Sequence, residues 1–334
     1  MTDWSLSGDE RQQIFNERIS PVVFPNAPSD DAPHLLLVAS QPGAGAMRAA
    51  AGLVSDGTIA VLSASDLRPF HPRFVDLSRT RSPEALRVLT ESTTGWMRSA
   101  LQHARTTRRS LLLDGTLSSP DITLATTGLF ATSGFTTTVV VIAVPRAESL
   151  LATASKYLLD ARAGRASPFT SVAEHDAAFE GTRTLVQRLE STPSVDRLTV
   201  IGRGGSTPFD GARSDRTGLA GATAAVDREH VAPLPAPQAM RWLSELRAVT
   251  DYALSSRQVA QPLAEVLIEL NEVGLREILP RLPLPKDSQA RPATEANLGR
   301  HLVALRQAAR AEQRPERRPV PVISAPEPDR GISI

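Results

Sequence analysis

The sequence predicts an α/β fold: a parallel sheet flanked by helices, with a C-terminal helical extension. Short apolar runs alternate with helical patterns, which is typical of parallel strands buried on both faces. Beyond residue 237, Leu, Val and Trp recur at helical spacing to residue 273, and a last helix is predicted at 294–311. The apolar runs lie at residues 35–38, 58–62, 110–116, 137–144 and 198–201.

Composition excludes several classes of protein. The 334 residues include 37 basic and 36 acidic ones, so the net charge of +1 predicts no nucleic-acid partner. The absence of Cys excludes disulfides and Cys-based metal sites. No apolar run reaches the ~18–20 residues needed to cross a bilayer, and the N-terminus lacks the basic and apolar regions of a signal peptide. We therefore expect a cytoplasmic protein with no membrane contact.

The first predicted helix precedes the sheet. Ser7 and Glu10 form a capping box, and Ile14, Phe15 and Ile19 then share one helical face. We expect that face to pack on its own domain, with a partner protein as the alternative.

Three segments are predicted along the chain. Residues 202–221 form a loop rich in Gly, Ser and Arg, which indicates a boundary near residue 215. We expect a domain at 1–215, a helical extension at 216–312 and a disordered Pro- and Arg-rich tail at 313–334.

The rest of the chain is organised around residues 35–52. An apolar strand leads into a turn rich in Gly and Pro, and a helix is predicted from Met47. Gly43 and Gly45 allow backbone N–H groups to converge on an anion near the helix N-terminus, so this pattern predicts a phosphate-binding loop. In the G-x-x-x-x-G-K-[ST] form of this loop, the Lys reaches the β- and γ-phosphates and the hydroxyl holds Mg²⁺. Here Ala46 and Met47 occupy those two positions, so the shape is kept without the reactive side chains.

The loop sequence Ser40-Gln41-Pro42-Gly43-Ala44-Gly45 resembles the GQPGxGK[TS] loop of the zeta toxin family. The resemblance covers roughly residues 7–205 and implies a P-loop NTPase-like parallel sheet flanked by helices. Family members are kinases that use ATP and Mg²⁺ to phosphorylate the sugar nucleotide UDP-N-acetylglucosamine and are restrained by an antitoxin, which lies near the region before the loop. The nucleotide-binding positions that it implies in the loop are Gln41, Pro42, Gly43, Ala44, Gly45, Ala46 and Met47.

A second family motif follows the second strand. Leu67-Arg68-Pro69-Phe70-His71-Pro72 resembles the end of D-x-D-x-[LF]-[RK]-x-x-H-P. The resemblance places the family's catalytic Asp, which accepts a proton from the sugar hydroxyl, at Ser65, with Asp66 displaced by one residue. We expect His71 to be structural rather than a base.

The third strand ends in the best candidate for chemistry. Asp114 directly follows the segment Ser-Leu-Leu-Leu, residues 110–113, as a Walker B acid follows a hydrophobic strand. It is therefore a candidate catalytic residue and Mg²⁺ ligand. A strand-end acid that caps the next turn is the alternative. The resemblance implies that Thr116 contacts substrate and that Ser118 replaces a family Arg; Glu91 is a further candidate for substrate binding.

The resemblance also implies a lid. Ala143-Val144-Pro145 with Ser149 matches the segment that leads into it, and His175-Asp176 matches a family HD pair. The family's lid arginines, which bind the transferred phosphate, correspond to Lys156 and Arg165.

Three hypotheses follow. The chain is a zeta-like kinase with weak or no activity, because the Lys, the hydroxyl and the catalytic Asp are replaced. Alternatively, it is a non-catalytic module that binds a nucleotide or sugar nucleotide, or sequesters an antitoxin. In the third, it is an active enzyme in which Asp66 is the base and lid cations replace the Lys.

Overall fold

A computed structural model describes residues 4–25, 29–46, 59–80, 82–114, 119–165, 167–256, 259–285 and 288–312. The described strands are β1 (His34–Ser40), β2 (Ala60–Ser63), β3 (Leu111–Asp114), β4 (Thr136–Ile142), β5 (Arg197–Ile201) and β6 (Phe209–Ala212). They form one sheet in the order β2-β3-β1-β4-β5-β6. Every neighbouring pair is parallel except β5 and β6. The predicted α/β fold with a largely parallel sheet is confirmed.

Helices cover the sheet and form the C-terminal region. Those described are α1 (Gly8–Ile14), α2 (Ser20–Val23), α3 (Ala64–Leu67), α4 (Phe74–Thr80), α5 (Pro83–Thr106), α6 (Pro120–Ala131), α7 (Arg146–Arg162), α8 (Val172–Ser191), α9 (Ala222–Val231), α10 (Ala236–Ser255), α11 (Gln261–Val273) and α12 (Ala290–Glu312). A π-helical turn, Phe15–Ile19, joins α1 to α2, and another, Gly274–Ile278, extends α11. The predicted helix after the glycine-rich loop, 47–54, lies outside the described residues.

One strand was not predicted. Residues 202–221 were expected to be a loop, but they contain β6, which pairs antiparallel with β5. The segment Phe-Asp-Gly-Ala is too short to show a strand period. It is held by its neighbour: Thr199 donates a hydrogen bond to Asp210 (2.9 Å), and Arg197 pairs with the same carboxylate.

The sheet is buried on both faces, as the apolar runs predicted. Leu35 and Leu37 of β1 belong to a core that includes Trp96 of α5 and Phe130 of α6. Val38, which points to the opposite face, packs with residues of β3 and β4. This alternation follows from the two-residue period of a strand.

The helical extension has a core of its own, and α7 belongs to it. Leu150, Leu151, Ala154 and Leu158 of α7 pack with apolar residues of α10, α11 and α12. The helix that leaves the carboxyl end of β4 therefore joins the sheet to the extension.

The N-terminal helix packs on its own domain, as expected. The capping box forms, since the Glu10 carboxylate accepts from the Ser7 amide (2.8 Å) and the Glu10 amide donates to the Ser7 hydroxyl (3.2 Å). Phe15 and Ile19 are buried in the core of the sheet.

The last helix on the sheet is α9. Ala222, Ala225 and Val226 share a core with β1 and β4, so packing on the sheet continues past residue 215. The division at 215 and 312 stays a prediction, and the predicted tail at 313–334 lies outside the described residues. None of the described helices is long and apolar enough to cross a membrane.

Candidate functional site

The glycine-rich loop, residues 41–46, follows the carboxyl end of the central strand β1. Because β1 lies between β3 and β4, the loop occupies the middle of the edge where open α/β sheets bind ligands. Gly43 and Gly45 have φ angles of 82° and 87°, which L side chains rarely adopt. The Ala44 amide donates to the Gln41 carbonyl (3.2 Å) and closes a turn. The described loop is thus a tight turn with two positive-φ glycines, and its side chains carry no charge.

Four residues, which we call the loop brace (Gln41, Gly43, Ser149 and His175), hold this loop, and all of them except Gly43 are buried. The Gln41 amide donates to the Val144 carbonyl (2.9 Å). A Cβ at Gly43 would lie 2.1 Å from the Ser149 carbonyl oxygen, so only glycine fits there. The Ser149 hydroxyl lies 2.9 Å from His175 Nε2, and both residues are fully buried. Burial lowers the pKa of His175, so the imidazole is neutral at pH 7.

An ion-pair network extends the brace toward the extension. Arg146 forms two hydrogen bonds to Asp176 (2.6 and 2.9 Å) and a third to Glu269 of α11 (2.8 Å). Asp176 Oδ1 lies 3.4 Å from His175 Nδ1. The network connects α7, α8 and α11 of the extension.

Two carboxylates and a serine lie at the carboxyl ends of β2 and β3. Asp114 is opposite Val38 of β1 and Ser63 of β2. It is 6% exposed and accepts no hydrogen bond from the described residues. Burial, and then the charge of Asp66, raise the pKa of Asp114. A buried carboxylate with a raised pKa beside a ligand-binding edge is characteristic of functional sites.

The predicted base positions are joined through Ser63. The Ser63 hydroxyl donates to Asp66 Oδ2 (2.7 Å) and accepts from the Asp66 amide (3.2 Å). The Ser65 hydroxyl lies 2.8 Å from the same oxygen of Ser63. Ser65, Asp66 and Asp114 therefore lie close together. The turn at 115–118 that Asp114 was alternatively expected to cap, including Thr116 and Ser118, lies outside the described residues, as does Met47.

The two predicted lid cations, Lys156 and Arg165, share one carboxylate. Each lies 2.6 Å from an oxygen of Asp160, and their side chains are 70% and 66% exposed. Although burial opposes it, the hydrogen bonds from Lys156 and Arg165 lower the pKa of Asp160. Neither cation lines the cavity that opens at the glycine-rich loop and is described below.

Two other predicted residues lie apart from the loop. Glu91 pairs with Arg87 and lines a groove of about 500 Å³ between α1 and α5, with Arg11 and Arg98. His71 is buried, its Nδ1 accepts from the Arg73 amide (3.1 Å), and burial lowers its pKa. Its environment is that of a structural histidine, as expected.

A cavity of about 590 Å³ opens at the loop. Gly43, Ala44 and Gly45 form one wall, α7 forms the second, and the third is formed by α10 of the extension. Among the described residues, no three His, Asp or Glu side chains cluster as a metal site would require.

This geometry agrees with the comparison to known families. The family model described as zeta toxin matches residues 23–214, more than half of the chain. The chain belongs to the zeta toxin family. The strand, glycine-rich loop and strand-end carboxylates described above all lie within the matched segment, and they form a P-loop kinase-like domain.

Curated relatives are distant in sequence. The chain is 22% identical over 206 residues to Toxin zeta of Streptococcus agalactiae, an overlap of 59% of this chain and 71% of that protein. It is 23% identical over 181 residues to Toxin zeta of Enterococcus hirae, which covers 52% of this chain and 62% of that protein. The second overlap thus spans less than two thirds of the relative.

A solved structure shares the fold. It comes from a study of the PezAT chromosomal toxin–antitoxin system of Streptococcus pneumoniae, and the TM-score is 0.62 at 17% identity. The similarity covers 74% of this chain and 98% of that one.

Several residues at the site were not recognised from the sequence as functional. Ser149 and His175 had appeared only as matches to the family pattern, and the structure shows that they support Gly43. Gln238 and Arg241 of α10 line the cavity beside the loop. No local pattern marks them, because α10 reaches the loop only through tertiary packing.

Proposed function

We propose that this chain is a zeta-family domain that binds a nucleotide on its glycine-rich loop and transfers phosphate weakly or not at all. One observation supports this most directly: the loop has its positive-φ glycines and is held by its brace, while Ala46 stands where the phosphate-binding Lys is expected. Phosphoryl transfer depends on fixed positive charge at the phosphates. A loop that keeps its shape without that charge favours binding over turnover.

The roles of the remaining site residues are part of the proposal. Asp114 would hold Mg²⁺, with Asp66 as the second carboxylate, because Mg²⁺ is usually bound by one or two carboxylates together with phosphate oxygens. The ion would neutralise charge on the phosphates when bound. Ser65 or Asp66 would face the acceptor hydroxyl. Glu91 and Thr116 would contact the acceptor molecule itself. Lys156 and Arg165 would contact the phosphates. The acceptor implied by the family is UDP-N-acetylglucosamine.

The experiment measures binding and turnover separately. ATP with Mg²⁺ is titrated calorimetrically, and phosphorylated UDP-N-acetylglucosamine is sought by mass spectrometry. We expect ATP binding with little or no product. Substituting Ala46→Lys, Met47→Thr and Ser65→Asp together should restore product, whereas Ser65→Asp alone should not, because it leaves the loop uncharged. Turnover by the unaltered chain at a rate similar to that of the triple variant, or no ATP binding, would contradict the proposal.

A second candidate function is sequestration of an antitoxin. The fold neighbour comes from a toxin–antitoxin system, and the groove between α1 and α5 presents Arg11 and Arg98 for an acidic partner segment. To test this function, the unaltered chain and the matched variant Arg98→Glu are each purified from the native cell together with any bound partner. An antitoxin retained by the unaltered chain and lost from the variant supports this function; retention by both places the partner elsewhere.

A further inference from the structure

The cavity beside the glycine-rich loop has walls that the family resemblance does not assign. Its volume of about 590 Å³ falls in the range of small-molecule sites, which is about 300–1,000 Å³. One wall is the loop itself. The opposite wall is α10, which follows the segment matched by the zeta toxin family.

The wall formed by α10 is fixed to the start of α7. Trp242 Nε1 donates to the Ala147 carbonyl (2.9 Å), and the indole is buried. Arg203 donates to Glu148 (2.8 Å) and to the Pro233 carbonyl (3.2 Å), just before α10 begins. The cavity is therefore held open by contacts that already exist without a ligand.

The charges that line the cavity leave one cation available. Glu148 is paired with Arg203, and Glu245 accepts a hydrogen bond from Ser155. Among the described residues, Arg241 donates only to the Pro237 carbonyl of its own helix (3.4 Å), and no carboxylate lies within ion-pair distance of it. Arg241 thus lines the same cavity as Gly43 and Gly45 and forms no ion pair with the described residues, although the Glu245 carboxylate, one helical turn away, lines that cavity too.

The other lining groups fit the base and sugar of a nucleotide. Leu151, Leu234 and Trp242 supply an apolar surface, which suits a planar base. The Gln238 side-chain oxygen is buried, and none of the described residues donates to it. A buried acceptor without a donor is costly, so a ligand N–H that reaches it would be favoured. The Glu245 carboxylate can accept from sugar hydroxyls.

We propose that this cavity binds the nucleoside of a nucleoside triphosphate whose phosphates lie on the glycine-rich loop, and that Arg241 supplies the positive charge absent at Ala46. This rests on the proposed nucleotide binding and assigns its missing cation to the helical extension. Gln238 contacts the base, and Arg241 contacts the phosphates.

The test compares four variants of the full chain. Arg241→Gln should weaken binding of ATP and of tripolyphosphate by about tenfold, the usual order for one charge-assisted hydrogen bond. Arg241→Lys should recover part of the affinity. The matched control is Arg247→Gln on the same helix, since Arg247 pairs with Asp251 and does not line the cavity. Gln238→Leu should weaken ATP but leave tripolyphosphate unchanged. Calorimetry gives the affinities, and thermal unfolding confirms that each variant is folded.

The outcomes separate this inference from the function on which it rests. If the unaltered chain binds ATP and Arg241→Gln binds it as well as Arg247→Gln does, the inference is wrong and nucleotide binding stands. If the unaltered chain binds neither ATP nor tripolyphosphate, both are wrong. UDP-N-acetylglucosamine is titrated in parallel. If Arg241→Gln loses affinity for that ligand alone, the cavity binds a sugar nucleotide, and the proposed binding of a nucleoside triphosphate is wrong.

Discussion

The loop brace and the lid cations both involve α7, yet they are stabilised in opposite ways. Apart from Gly43, the brace is buried, and its contacts are neutral: a glycine against a carbonyl oxygen, an amide on a carbonyl and a serine on a neutral histidine. Lys156 and Arg165 are largely exposed and meet at the partly buried Asp160. The difference teaches that the shape of the loop depends on packing and not on the reactive side chains.

The largest expected effect comes from filling the space at Gly43. Gly43→Ala would place a Cβ 2.1 Å from the Ser149 carbonyl oxygen at a φ of 82°. We expect the free energy of unfolding to fall by roughly 3 kcal/mol or more, measured by chemical denaturation. Gly45→Ala is the matched control, because a Cβ there meets none of the described atoms; strain alone should cost about 1–2 kcal/mol. Equal losses would mean that the brace does not constrain the loop.

The second effect is a loss of stability in acid, caused by the histidines His230 and His175. Burial lowers the pKa of His230 from 6.5 to about 4, and it lowers that of His175 in the brace. As the pH falls through 6.5, the unfolded chain binds protons that the folded chain does not, so the free energy of unfolding decreases until about pH 4. His230 alone accounts for roughly 3 kcal/mol.

A single variant isolates the contribution of His230. His230→Phe keeps the stacking on Phe179, whose ring centroid lies 3.9 Å away, and removes the titration. The slope of stability against pH between 6.5 and 4 should become shallower than in the unaltered chain. An unchanged slope would assign the acid sensitivity to other groups.

The third effect is a gain in stability on removing the charge of Asp114. Asp114 has a raised pKa because its charged form is buried, so the folded state carries a cost at pH 7 that disappears once the carboxyl is protonated. Asp114→Asn should therefore increase the free energy of unfolding by about 1 kcal/mol at pH 7, and by less in acid. Asp121→Asn, at an exposed ion pair with Arg188, should change it little. A loss of stability for Asp114→Asn would indicate that this carboxylate is structural.

The smallest effect is expected at the lid. Asp160→Asn removes two ion pairs, but both cations are about two-thirds exposed and can be solvated by water. The loss should stay below about 1 kcal/mol and should shrink in 1 M salt, as measured by denaturation at two salt concentrations. A loss of several kcal/mol would mean that these ion pairs stabilise the fold as strongly as the contacts of the brace do.

Local patterns predicted much of the fold. The apolar runs that became β1, β3 and β4 and the capping box at Ser7 are set by neighbouring residues and by burial on two faces. The strand β6 was missed because its four residues have no period and are stabilised by pairing with β5.

The candidate site was predictable only where it depends on residue identity. The sequence predicts that Ala46, Met47 and Ser65 replace reactive residues of the family, which stays a prediction, and that Asp114 ends a buried strand, which the structure confirms. The placement of Asp66 beside Asp114 depends on the cap formed by Ser63, which follows from the path of the chain after β2.

By itself, the sequence determined most of the strands and helices and the absence of charged side chains from the loop, because both depend on residue type and short-range spacing. Only the tertiary structure decided what supports and surrounds the loop. Gln41 meets Val144, Gly43 meets Ser149, and α10 brings Arg241 to the cavity, although these residues lie far apart along the chain. The physical reason is that such contacts form only when the sheet and the extension bury their apolar faces together.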